Sequence, residues 1–137
     1  MARSTIADRY ASHYDALAVL RAPGQAAIAA TTAETAIAIP ITKLENCNCI
    51  VQYQALTGID ATNNWSFVVS ASATIAGTYV PISAAVTTPD GKPNDLVIPI
   101  NGYTVAKQVP GAAFVRVTAT KTGTAGALTY CAYLSPS

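Results

Sequence analysis

The chain has 137 residues with a net charge of +1; 11% are charged and 51% apolar, whereas ordinary soluble domains carry about 25% charged residues. That length holds one domain with a core of its own, and the near-neutral balance excludes the basic stripe of a nucleic-acid binder. No run approaches the ~20 apolar residues of a membrane-spanning helix, and the strands are too few and lack the aromatic girdles of an outer-membrane barrel, so the missing charge points to surface that meets other subunits, as obligate interfaces do.

Residues 1–22 stand apart and are read as an N-terminal arm. They hold Arg3, Arg9, Arg21, Asp8, Asp15 and the single histidine, His13. The stretch IADRYASHYDALAVL spells a short helix of about three turns, capped by Ser4 or Thr5. Ile6, Tyr10, Tyr14 and Leu17 would line one stripe of it. So short a helix is marginal alone, so the stripe must pack on its own domain or on a neighbour. Arginine and tyrosine dominate interface hot spots, which makes Arg3, Arg9, Tyr10, Tyr14 and Arg21 the candidate partner-binding residues. The opening MARSTIADRYASHYD has no apolar leader core, so the mature chain is expected to begin near Met1, in a reducing cytosol or an assembly built there. Pro23-Gly24 closes the arm, and residues 23–137 are read as one β domain.

From residue 26 onward the strand signals follow one another. TAETAIAIPIT alternates small residues with isoleucine, and CNCIVQYQALTG is a longer strand closed by Gly58. NWSFVVSASAT has the clearest period of two: Trp65, Phe67, Val69, Ala71 and Ala73 share one face and the serines share the other. Pro81 marks TYVPI as an edge or a bulge. TTPDGKPND reads as a loop, LVIPI as a short strand, Asn101-Gly102 as a turn and YTVAKQV as another short strand. Pro110-Gly111 then leads into a closing hairpin, FVRVTATKTGTAGALTYCAYL. The sum is an all-β fold, a single β-sandwich or jelly roll of about seven or eight antiparallel strands.

A four-residue loop from Gly123 to Gly126 sets the hairpin register. It places Val115 opposite Leu134, Val117 opposite Ala132 and Ala119 opposite Tyr130 on the core face. Arg116 then stands over Tyr133 as a cation–π pair, and a slip of one residue would mix the faces.

The search for chemistry finds no catalytic set. His13 and Asp15 are two apart and point away from each other on a helix. No G-x-S-x-G, H-E-x-x-H or P-loop occurs. Cys47 and Cys49 share a strand face, but zinc sites need about four ligands in recognisable spacing, and three cysteines do not make a disulfide framework. Asp90 and Asp95 lack the order of a calcium loop and read as turn formers. The expectation is a protein that is not an enzyme, with no metal, no cofactor and no small-molecule substrate. Lectin-like sandwiches expose aromatic side chains, and the chain has seven tyrosines and one tryptophan, but Trp65 falls on the apolar face of its strand.

From Cys49 to Leu134 the order of elements resembles a known group. A strand ending in ALTG, an aromatic strand running through ATIAGTYVPI, and the ending GAAFVRVTATKTGTAGALTYCAYL look like the small β-sandwich virion proteins of tailed bacteriophages, especially head decoration or cement proteins. The resemblance implies a homotrimer that bridges capsid subunits, with the major capsid protein or other virion subunits as partners. It implies location in the virion, assembled in the host cytoplasm, and no catalytic residues. Tail, baseplate and fibre subunits use similar sandwiches, and a carbohydrate-binding module is the further alternative.

Overall fold

The computed structural model describes residues 19–39 and 47–136. The helix read for the arm, with Arg3, Arg9, Tyr10, Tyr14 and His13, lies outside the described residues. In chain order the elements are β1 (Val19–Arg21), β2 (Thr32–Ala33), β3 (Ile37–Ala38), β4 (Cys47–Tyr53), β5 (Asn64–Ser72), β6 (Val80–Pro81), β7 (Val86–Thr87), β8 (Asn94–Ile100), α1 (Gly102–Gln108), β9 (Phe114–Thr122) and β10 (Tyr130–Pro136).

The strands form two antiparallel sheets that share one core. The first runs β1-β10-β4-β8. In the second, β9 and β5 are the long central pair; β2 and β3 both lie along the free edge of β9, and β6 and β7 along the free edge of β5. Taking β2/β3 and β6/β7 as two interrupted columns turns ten strands into eight columns. Their orders are then 1-8-3-6 and 2-7-4-5. The pairs 1–8, 2–7, 3–6 and 4–5 are the rungs of one long two-stranded ribbon, rolled up so that its halves face each other. That is the jelly roll. The ribbon's tip is the turn between β5 and β6, and β1 and β10 form its open end.

Period-two patterning explains the core. Trp65, Phe67, Val69 and Ala71 of β5 are fully buried, as are Val115, Val117 and Ala119 of β9 and Cys49 and Val51 of β4. Prolines stand where a ladder has no need of their missing N–H: Pro81 on an interrupted edge and Pro99 on the edge strand β8. β1 begins at Val19, inside the stretch assigned to the arm. An irregularity between Val19 and Arg21 lets the consecutive side chains of Leu20 and Arg21 both be buried.

Two elements differ from the sequence reading. YTVAKQV is not a strand; Gly102–Gln108 is a helix. Val105 and Val109 are four apart and both buried, the spacing of a helix face. The Asn101 carbonyl accepts from the Val105 amide at 3.0 Å, and Gly111, at φ 74°, stands just beyond the end. The closing hairpin also does not form: β9 pairs with β5 and β10 with β4, in opposite sheets. The predicted register is therefore absent, although both predicted core faces are buried. The connection swings across the end of the sandwich, held by a bridge from Leu128 to Ile28 and by Trp65 Nε1–H donating to the Gly126 carbonyl at 2.8 Å.

Gly123 permits that swing. Its φ is 70°, and a Cβ there would collide with the Asn63 side chain and lie 2.8 Å from the Thr62 carbonyl. Asn63 cannot retreat easily, because its Oδ1 accepts from the Thr124 amide at 2.8 Å. Gly123→Ala is expected to lower stability by about 2 kcal/mol, read as a fall in the urea midpoint with unchanged slope. An unchanged midpoint would mean that the turn relaxes without cost.

Candidate interaction surface

The described residues hold no cluster of three or more metal-ligating side chains. Cys47 and Cys49 point inward and are buried. Burial pushes the Cys47 thiol up to about 11; burial and then the neighbouring Cys47 push Cys49 up to about 12. Both stay protonated at neutral pH, unlike metal-binding or nucleophilic thiolates. Cys131 is half-exposed on the outer side of β10, its Sγ 3.6 Å from Gln52 Oε1. Asp90 receives the Lys92 amide at 2.9 Å, the local backbone bond of a turn former. Asp60 accepts from the Thr62 amide and from both the amide and the side chain of Asn63, and these bonds, the Thr62 amide first, hold its carboxyl below the usual range. An open cleft of about 210 Å³ lies beside Pro23, Gln52, Gln54 and Cys131, with no acid–base pair in it.

The thiols make a pH prediction. In the unfolded chain cysteines ionise near 8.5, while the folded chain holds both protons until much higher pH. Their contribution is therefore full below about pH 8.5 and is lost as pH rises towards the folded values. The urea midpoint should fall steadily from pH 8 to 11, and the fall should be shallower in a Cys47→Ala/Cys49→Ala variant. In native protein at pH 8 a thiol reagent should label Cys131 first, and the buried pair only on unfolding. Fast labelling of all three would contradict the buried placement.

No protein-family model matches the chain, and no curated protein is significantly similar to it. What the molecule offers is its surface.

The two broad faces follow from strand parity. On the four-stranded sheet the outward positions are Asn48, Ile50 and Gln52 of β4, Asp95, Val97 and Pro99 of β8, and Cys131, Tyr133 and Ser135 of β10. Tyr133 and Ser135 are buried although they point away from the core, whereas Val97 is 52% exposed. On the other sheet the outward positions are Phe114, Arg116, Thr118, Thr120 and Thr122 of β9, and Asn64, Ser66, Val68, Ser70 and Ser72 of β5. Cross-strand rows such as Thr120–Ser66–Thr87 and Ala33–Thr118–Val68 extend this face to both edges. Each face carries one charged strand residue among the described residues: Asp95 on the first and Arg116 on the second.

Of the sequence candidates for partner contact, only Arg21 lies in the described part, and it faces inward. Its guanidinium is 4% exposed, with Nη1 3.0 Å from Glu34 Oε1 and also 3.0 Å from Oε2. Nε–H donates to the Tyr130 carbonyl at 3.1 Å and Nη2–H to the Ala26 carbonyl at 2.7 Å. Its donors are thus committed within the fold, and the residue closes the sandwich edge. The sequence reading does not single out Glu34, Tyr130 or Tyr79 as site residues; it places Arg116 on the outward face of its strand, which holds, but over a different tyrosine. Arg116 lies over Tyr79, 4.0 Å from the ring centroid, and not over Tyr133. Tyr133 is on β10 of the four-stranded sheet, whereas Tyr79 stands in the connection just before β6 of the other, and the crossing of the last connection decides which one Arg116 meets.

Proposed function

We propose that this chain is a structural virion protein, a cement or decoration subunit that bridges capsid proteins on a tailed-phage head as a homo-oligomer, with a trimer favoured. The observation that carries the reading is the pair of broad sheet faces with one charged strand residue each among the described residues. Charge is depleted at the cores of interfaces, whereas a sheet face that meets only water is ordinarily rich in it. The jelly roll adds support by analogy, since capsid subunits use it, although lectins do too. A tail, baseplate or fibre subunit would have the same surface.

The lectin-like alternative draws less support. Among the described residues Tyr53, Trp65, Phe67, Tyr130 and Tyr133 are buried, and Tyr79 and Phe114 are half-buried, so the described faces offer no aromatic platform for a sugar ring.

The test uses phage particles from which this chain has been deleted. Added protein is expected to sediment with heads, to saturate at a fixed ratio to the capsid protein, and to raise their resistance to heat. Binding to tails alone would move the protein to the tail. Binding to neither, together with a monomeric mass at micromolar concentration, would remove the virion reading.

A further inference from the structure

Arg116 is held in an unusual state for the one charge of a broad face. It stands outward on β9, opposite Ser70 of β5, with Pro81 of β6 beyond. Its guanidinium carbon sits over the Tyr79 ring, 4.0 Å from the centroid. That ring is itself fixed, because the Tyr79 hydroxyl donates to the Ile75 carbonyl at 2.9 Å across the ribbon's tip. The Nε–H of Arg116 is buried with no hydrogen-bond partner, and the ion pair among the described residues is that of Arg21 with Glu34, elsewhere. That donor is closed off from the surface, so an incoming acceptor would meet the terminal Nη1 and Nη2 of the half-buried side chain. A guanidinium stacked on a ring has lost its freedom before it binds anything, and a carboxylate fits its planar fork with two parallel bonds.

We infer that Arg116, propped on Tyr79, is the anchor of this face and takes a carboxylate from a different protein subunit. This inference rests on the interface reading above. The occupant is not a second copy of the same face. A two-fold contact sets identical patches against each other; it would bring two Arg116 cations together over a face with no acidic strand residue among those described. Nor does a two-fold contact bring Asp95 to it: Asp95 lies on the opposite sheet, so pairing the two would need a head-to-tail contact between opposite faces of the slab, which runs on into a fibre unless its rotation closes. The neutral Thr118 and Val68 on one side of the cation, and Phe114 and Ser72 on the other, suit a partner that is apolar or hydroxyl-bearing around one acidic side chain.

Two measurements test this. In the first, the Arg116 Nε–H resonance is followed by NMR while sodium acetate is added, with sodium chloride at matched ionic strength as reference. Acetate is expected to move it saturably and at least twofold more than chloride does, and Tyr79→Leu to weaken the response. Equal responses to the two salts overturn the inference whatever the protein's role. In the second, variants are added to heads lacking the chain. Arg116→Gln is expected to bind at least tenfold more weakly, and Thr118→Glu, which offers the cation an internal carboxylate, to weaken binding similarly while keeping a native circular dichroism spectrum. Arg116→Gln binding as well as the wild type overturns the inference and leaves the virion reading standing. If the wild type answers acetate but binds no particle, the virion reading falls and the carboxylate site remains. Self-association of the wild type that Arg116→Gln abolishes would make the occupant a second copy, against the inference.

Discussion

Arg21→Met is expected to destabilise the sandwich by about 3–5 kcal/mol, the cost of removing one partner from a buried ion pair. The pair spans the edge where the two sheets meet. Arg21 sits on β1 of the four-stranded sheet, and Glu34 lies between β2 and β3 of the other, its amide bonded to the Val117 carbonyl at 2.9 Å. Tyr130 of β10 completes the group: its hydroxyl donates to Glu34 Oε2 at 2.7 Å, and the Arg21 guanidinium lies 4.8 Å from its ring centroid. Without Arg21 the Glu34 carboxylate stays in a site that is 10% exposed, with Tyr130 as its remaining described donor. Glu34→Gln should cost less, because the amide oxygen still accepts. The double change Arg21→Met/Glu34→Leu should recover most of the loss, since no buried charge remains. Urea unfolding of the four proteins measures this. Little loss in Arg21→Met, or no recovery in the double variant, would mean that β1 contributes through packing and not through its charge. The wild-type midpoint should also respond weakly to salt, because buried pairs are poorly screened.

That ion pair marks where sequence reading stops. Alternation along NWSFVVSASAT, CNCIVQY and FVRVTAT reveals which side of each strand is buried, because strand parity is a local property. Arg21 and Glu34 are 13 residues apart, and Glu34 meets Tyr130 96 residues away; only the rolled ribbon brings them together. An arginine beside Pro23-Gly24 therefore reads as arm surface until β1 is known to pair with β10. The same limit explains the last connection. A glycine-bearing gap between two strand-like runs is the ordinary sign of a hairpin. What sends β10 to the other sheet is non-local: the Asn63 side chain on Thr124, and Trp65 on Gly126. The helix, by contrast, had local signals. Asn101 as cap, Val105 and Val109 at helical spacing and Pro110-Gly111 as a stop were all present, but about two turns of helix are too short for periodicity to outweigh the β context. Near-absence of charge was legible from composition; its distribution, one residue to a face, needed the topology.

Trp65→Ala should be the most damaging single truncation in the core, with a loss of about 3–5 kcal/mol. The side chain is fully buried among Phe67, Leu128 and the other members of one core cluster. It also joins three parts of the chain. The indole N–H holds the Gly126 carbonyl. The backbone of Trp65 is bracketed by Thr88, whose hydroxyl oxygen receives the Trp65 amide at 3.2 Å and whose hydroxyl donates to the Trp65 carbonyl at 3.2 Å. Those backbone bonds survive the substitution; the indole bond and the packing do not. Trp65→Phe separates the two losses. It keeps most of the apolar volume and leaves the Gly126 carbonyl without its donor, which should cost about 1–3 kcal/mol. That loss should be concentrated in faster amide exchange along residues 122–128, because the indole is what ties this crossing to β5. Trp65 is the chain's one tryptophan, so wild-type unfolding can be followed by its emission and the variants by circular dichroism. If Trp65→Phe loses as much as Trp65→Ala, the indole bond and not the packing secures the crossing. Equal exchange rates in Trp65→Phe and wild type would assign that task to Gly123 and Asn63 instead.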